Sequence, residues 1–435
     1  MAASVLNDVS LAYQLLWNAQ RQPDQVWLHL EPLAARPVNA SHLVSALGRQ
    51  WSTPHVTLTL SSADPSLLMG LLDQTPPDLA QVAVDDRLLS DPTMAQRLMQ
   101  ARPRGLRLVW RGEPGTQPQP DRTPSFTQTL LSLSADDALQ HLRLLRSQSK
   151  TGAQAARPVD SFAADTLLDG VANAGLIDYF LDQQGARALM GWPSEDVLFA
   201  CRPTRVQPGW HAVKALISLI QADAAMDDVA RALSQEPLLV YRFLRYANSA
   251  GLGLNREITA LRHGLMVLGL VRLKTWLQDQ LPHASKNLNL QPIASLMVMR
   301  ARFMTELLDA GAAIALQDEL ALCGLLSQMD LLTGESLQQT LHPIPLPERV
   351  HAALLGNSGP YWPYLDVAMA LDSGQAQATR EACLRHGFDE ESVNLALLRT
   401  LSAQFADTAG LALPQATSAS APKSPTRSPR PALTS

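Results

Sequence analysis

Apolar and polar residues alternate in two different periods along this chain, and the period changes near residue 205. Before that point, short alternating runs of β-branched and aromatic residues predict strands: QVWLHLEP at 25–32, PHVTLTLSS at 54–62, LAQVAVDD at 79–86 and RGLRLVWRG at 104–112. Between them SLLMGLLDQ (66–74) and SDPTMAQRLMQA (90–101) carry helical spacing, so strands and helices alternate as in βα units. After residue 205 the strand signals stop and helical stripes follow, at 210–222, 226–235, 237–249, 258–268, 270–281, 293–310, 316–332 and 347–356, with more before 405. The most regular stretch lies at 234–277. Pro237 suits a first helical turn, where its missing N–H would be unpaired anyway. Val240, Phe243, Leu244 and Ala247 then recur at i, i+3, i+4, i+7. Asn248 and Ser249 end that helix, and Gly251 and Gly253 supply the freedom of a tight reversal. Ile258, Leu261, Leu265 and Leu268 mark the buried face of a second helix, which Gly269 ends or bends.

A chain of 435 residues holds two to three domains, and 46% hydrophobic against 17% charged residues reads as globular. The net charge of −5 gives no electrostatic footprint for nucleic acid. Three scattered cysteines, Cys201, Cys323 and Cys383, suggest a reducing compartment and neither a disulfide framework nor a thiolate metal site. The N-terminus lacks the pattern of a signal peptide, and no run approaches the ~18 apolar residues of a membrane span. A cytoplasmic protein without membrane contact is the expectation. The Pro-rich segment 113–125 is expected to be an exposed loop, and the Pro/Ser/Thr-rich tail 406–435 to be disordered for want of apolar burial.

The succession SQEPLLVYRFLRYANSA, GLGL and TALRHGLMVLGLVRLKTWL resembles the HDOD domain, a catalytically silent relative of the HD phosphohydrolases. The residues carrying this signature are Pro237, Asn248, Ser249, Gly253, Leu268, Gly269 and Trp276. Ahead of it, LAYQLLWN (11–18), DQTPPDLAQVAVDD (73–86), RGLRLVWRGE (104–113) and GARALMGWPSEDVL (185–198) follow in the order of landmarks of an EAL domain. The resemblance implies an incomplete, degenerate (β/α) EAL-like barrel at 1–200, then an all-helical HDOD domain at 201–405.

It also implies that the chemistry has been lost. Hydrolysis of a cyclic dinucleotide on this fold needs strand-end carboxylates that hold two divalent metals. Gln14 and Asn18 stand where the EAL pattern has Glu and Arg, and Arg111 and Gly112 fall near its paired aspartates. At about 195 residues the barrel is shorter than the ~250 of a full one, so an open barrel is expected. Asp85 and Asp86 are candidates for a remnant site, although a solvated strand end accounts for them better. In the helical half, Ser327 and Gln328 occupy the His and Asp places of the HD motif "GLLHDIG", and neither suits a divalent metal. Asp330 is read as a surface or capping residue. His263 and the other histidines form no HExxH-like pair. Arg102, Arg104, Arg107 and Arg111 form a basic run, best read as solvated or internally paired, and Arg300 and its neighbours as snorkelling surface cations.

Tyr361 and Trp362, in GPYWPY, are the candidates for an exposed interaction patch, against the plainer reading of a lid on the bundle. No catalytic, cofactor-binding or metal-binding residue is expected, and no cofactor. The reading that results is a non-enzymatic bacterial regulator acting on signalling protein partners. The alternatives are a cyclic di-GMP receptor and a residual cyclic di-GMP phosphodiesterase.

Overall fold

The computed structural model describes residues 4–33, 37–51, 56–116, 126–151, 165–202, 205–252, 257–308 and 311–411. Eight strands form a closed barrel: β1 (Val9–Asn18), β2 (Pro23–Pro32), β3 (Thr57–Ser61), β4 (Gln81–Asp85), β5 (Leu108–Gly112), β6 (Gln128–Ser132), β7 (Thr166–Asp169) and β8 (Ala188–Met190). The expected open barrel is therefore corrected. Strand β1 runs antiparallel to both β2 and β8 and closes the ring, while the remaining neighbours are parallel. The shortness of this half lies in its connections. A tight turn held by Asn18, whose carboxamide oxygen accepts from the Gln20 and Gln22 amides, joins β1 to β2 without a helix. Helices α1 (Ala40–Gln50), α2 (Pro65–Gln74), α3 (Pro92–Ala101), α4 (Ala135–Thr151), α5 (Ala174–Asp178) and α6 (Ser194–Cys201) cover the outside.

Side-chain alternation fills the barrel in layers. Leu16, Trp27, Ala83, Val109, Leu130, Leu167, Ala188 and Met190 form an apolar plug. One polar level below, Gln81 donates to Thr59 and to Gln128, each at 2.8 Å. Two residues further along the parallel strands, and two residues earlier on antiparallel β1, the same parity brings His29, Asp85, Arg111, Ser132, Asp169 and Gln14 to the mouth.

The second half is helical, with α7 (Trp210–Gln221), α8 (Met226–Leu233), α9 (Pro237–Ala247), α10 (Leu261–Gln280), α11 (Gln291–Leu307) and α12 (Ile314–Leu326). Then come α13 (Met329–Thr333), α14 (Leu337–Leu341), α15 (Glu348–Gly356), α16 (Trp362–Asp372), α17 (Ala376–His386) and α18 (Glu390–Leu411). Gly324 permits a close crossing of α12 over α11. A Cβ there would lie 2.4 Å from the Ala301 Cα, so any side chain would push α12 off α11. The last helix runs through 406–411, and the rest of the expected disordered tail lies outside the described residues, as does most of the loop 113–125.

A composition change near 205 suggests two cores with few crossing contacts, and the structure corrects this. One continuous apolar cluster runs from Leu6 to Phe405. The outward face of β1, with Val9, Leu11, Tyr13 and Leu15, joins it, and α16, α17 and α18 pack on that strand. Asn394 of α18 ties the seam. Its carboxamide accepts from the Leu11 amide at 3.2 Å and donates to the Leu6 and Val9 carbonyls at 2.9 and 2.8 Å, all buried. Asn394→Ala strands one backbone donor and two acceptors. It should lower unfolding stability by about 2 to 4 kcal/mol in urea titrations, with barrel and helical signals shifting together; a change confined to helical signal would contradict the shared core.

Candidate functional site

Active groups on (β/α) barrels gather at the carboxyl ends of the parallel strands, and here that mouth carries one connected polar layer. Gln14 Oε1 lies 3.1 Å from His29 Nε2, and His29 Nδ1 lies 2.9 Å from Ser61 Oγ, which also accepts from the Trp27 indole at 2.7 Å. This chain suits a neutral imidazole that donates from one nitrogen and accepts at the other. Burial, and then the nearby Arg111 guanidinium, push the His29 pKa down to about 4. Arg111 spans the mouth, 3.4 Å from Ser132 Oγ and 3.2 Å from Asp169 Oδ2. Asp85 accepts from the Arg87 amide at 3.0 Å and Asp86 from the Trp110 indole at 3.0 Å. A cap and an indole acceptor thus account for the suspected remnant pair.

A pair of divalent metals does not fit these residues. Gln14 and His29 are already bonded to each other, one inward carboxylate is bound by a guanidinium and the other caps a turn. Among the described residues no group of three His, Cys, Asp or Glu side chains is placed to hold a metal ion. The basic run does not act as one face either. Arg104 reaches back to the Leu72 and Asp73 carbonyls while Arg111 turns inward.

The HD-like place in the helical half is filled in a similar way. Ser327 Oγ accepts from Arg300 Nη1 at 2.7 Å and donates to the Gly324 carbonyl at 2.8 Å. Arg300 also grips Asp372, through Nε at 2.7 Å and Nη2 at 2.6 Å. Its side chain is only 5% exposed, which overturns the reading of Arg300 as a snorkelling surface cation. The Tyr13 hydroxyl of β1 donates to the other Asp372 oxygen at 3.1 Å. Burial, then Asp372, raise the pKa of that phenol well above the usual tyrosine range. Asp330 sits half-buried in the first turn of α13, away from this network.

The signature residues have structural placements. Pro237 opens α9, and Leu268 and Trp276 are buried on α10, where Trp276 stacks on Tyr246 at 5.7 Å. Asn248 latches the following loop by bonding both the amide and carbonyl of Ile258, at 2.8 and 2.9 Å, and the Ser249 amide closes a turn onto Tyr246. Gly269, at φ 74°, kinks α10. Gly253 lies outside the described residues. The exposed-patch reading of Tyr361 and Trp362 is corrected. Tyr361 is 4% exposed with its hydroxyl on Glu319 at 2.9 Å, and Trp362 is half-buried against the same core. Both rings pack onto the bundle as a lid.

The signature of the HDOD domain family matches residues 211–341. This chain contains an HDOD domain. Two curated proteins share sequence with it: the cyclic di-GMP phosphodiesterase CdgJ of Vibrio cholerae, 26% identical over 170 residues, and the uncharacterized protein YuxH of Bacillus subtilis, 24% over 180 residues. The matches cover 39% and 40% of this chain and only 39% and 42% of those proteins. Among solved structures, the MmoQ response regulator of Methylococcus capsulatus aligns at a TM-score of 0.35 and 15% identity, over 44% of this chain and 98% of that one. The BlrP1 calcium/cyclic di-GMP complex of Klebsiella pneumoniae aligns at 0.29 and 13%, over 44% and 57%. Among the described residues no helix is long and apolar enough to cross a membrane.

His29 gives a pH signature of the mouth. Its folded pKa of about 4 lies below the free value of 6.5, so between those values the unfolded chain binds a proton that the folded chain refuses. Stability contributed by this residue is full above pH 6.5 and falls as the medium is acidified toward 4. His29→Gln, which cannot titrate, should remove about 2 to 3 kcal/mol of the acid-side loss in urea unfolding. Parallel pH profiles for the two proteins would show that His29 is not held neutral.

Proposed function

We propose that this protein is a non-catalytic regulatory component of cyclic di-GMP signalling, and that it works through contact with other signalling proteins. The observation that carries this reading is the Arg111–Asp169 pair at 3.2 Å. A fixed cation sits among the strand ends where metal-activated water would have to be generated. The resemblance to CdgJ supports the signalling context. A contact output is supported by α10, which exposes Met266 and Val271 (64% and 82%) on either side of its kink. The barrel (1–200) is the relic of a nucleotide-handling unit in this reading, and the helical half (201–405) presents the surface. A cytoplasmic setting suits the free cysteines, of which Cys323 and Cys383 are buried with thiols pushed up to about 12 by burial.

One feature favours a receptor as the second reading. At the rim of the mouth Arg202 lies 5.1 Å over the Phe199 ring, which is 63% exposed, an arrangement able to meet a base or a phosphate. The assay for both is incubation of the full chain with cyclic di-GMP and magnesium or manganese, followed by chromatography. No linear dinucleotide should form above a metal-free control. Turnover that vanishes on chelation would overturn the non-catalytic reading, and tight binding without turnover would move the conclusion to the receptor.

A further inference from the structure

A second cavity, of about 340 Å³, lies between the two halves. Strand β1 and the β8–α6 loop form one wall, and α11, the start of α13 and the α16–α17 turn form the other. Its size falls within the range of small-molecule sites, which favour such domain junctions. The apolar lining includes Trp17, Trp192, Ile293 and Leu331. Trp17 and Trp192 meet edge to face at 6.0 Å, and the Trp192 indole is fixed by a bond to the Asn289 carbonyl at 3.1 Å, so the platform is preorganised.

The polar lining is selective in its charge. Arg300 and Asp372 border the cavity, yet each is spent on the other, so the site offers no uncompensated cation for a phosphate. Two carboxamides remain. Gln328 makes no side-chain hydrogen bond among the described residues, and Gln14 uses its oxygen on His29 while its amide nitrogen has no such partner. A carboxamide offers a donor and an acceptor side by side, the pattern that pairs with the edge of a purine.

We infer that this cavity between barrel and HDOD domain is a binding site for an uncharged purine nucleoside. The base lies against the indole and leucine walls and Gln328 reads its edge. Gln14 also lines the open cavity at the barrel mouth. An occupant that bonds the Gln14 amide is therefore felt at His29 and Ser61, two bonds away. The site is thus an effector position linking the halves, and it does not depend on whether the mouth binds or cuts a cyclic dinucleotide.

Equilibrium dialysis of the full chain with labelled adenosine and guanosine tests this. One nucleoside should bind saturably per chain, with GMP about tenfold weaker than guanosine. Leu331→Trp, which fills the cavity from a partly exposed position, and Gln328→Leu, which removes the edge-reading group, should each weaken binding about tenfold or more while the urea midpoint stays unchanged. No saturable binding up to about 1 mM, or undiminished binding in both variants, would overturn the proposal. GMP binding as tightly as guanosine would overturn its charge argument.

Discussion

Strand β1 is the constraint on which the rest of this structure depends. Its side chains alternate between the barrel interior and the core shared with the helical half. Inward, Leu16 plugs the barrel and Gln14 enters the polar mouth. Outward, Leu11 and Tyr13 join the core shared with α16–α18, and Asn394 supplies hydrogen bonds along the strand's edge. A one-residue slip would exchange these faces and lose both. Because β1 closes the ring between β2 and β8, the helical half does not simply sit beside a finished barrel; it packs on the strand that completes it.

Each half places an arginine on a carboxylate and a serine hydroxyl. At the barrel mouth an arginine binds Asp169, and at the HD-like place an arginine binds Asp372 and Ser327. A guanidinium is a permanent cation with fixed directions. It neutralises the carboxylate it binds. Arg300 is the more committed of the two, because its side chain is nearly sealed and removing either partner would leave a buried charge unpaired. Tyr13 extends that network to β1, the strand that also carries Gln14 into the barrel mouth.

Much of this was legible in the sequence because it rests on local pattern. The periods of β2 to β5, the Pro237 start of α9 and the helix-ending Asn248 are read from neighbouring residues. Barrel closure was not, since β8 has three residues and β7 four, too few for a period to register. Arg300 looked like one more helix-surface cation, and only its distant partners Ser327 and Asp372 reveal otherwise. Asp169 and His29 carry no motif of their own; strand parity brings them to the mouth. Tyr361 illustrates the opposite error, in which an aromatic, proline-stiffened segment suggested exposure although Glu319 waits to receive its hydroxyl. The change of composition near 205 marked a change of secondary structure and not a boundary between cores.

Barrel and helical half form one cooperative unit through β1, on which α16, α17 and α18 pack. Native-state hydrogen exchange in low urea measures this most directly, because it assigns an opening free energy to each amide. Buried β1 amides such as that of Leu11, and amides in the middle of α11 and α18, should open together at the global unfolding free energy. If the helical amides exchange through a lower-energy opening that leaves β1 protected, the halves are separate domains in contact, contrary to a single cooperative unit.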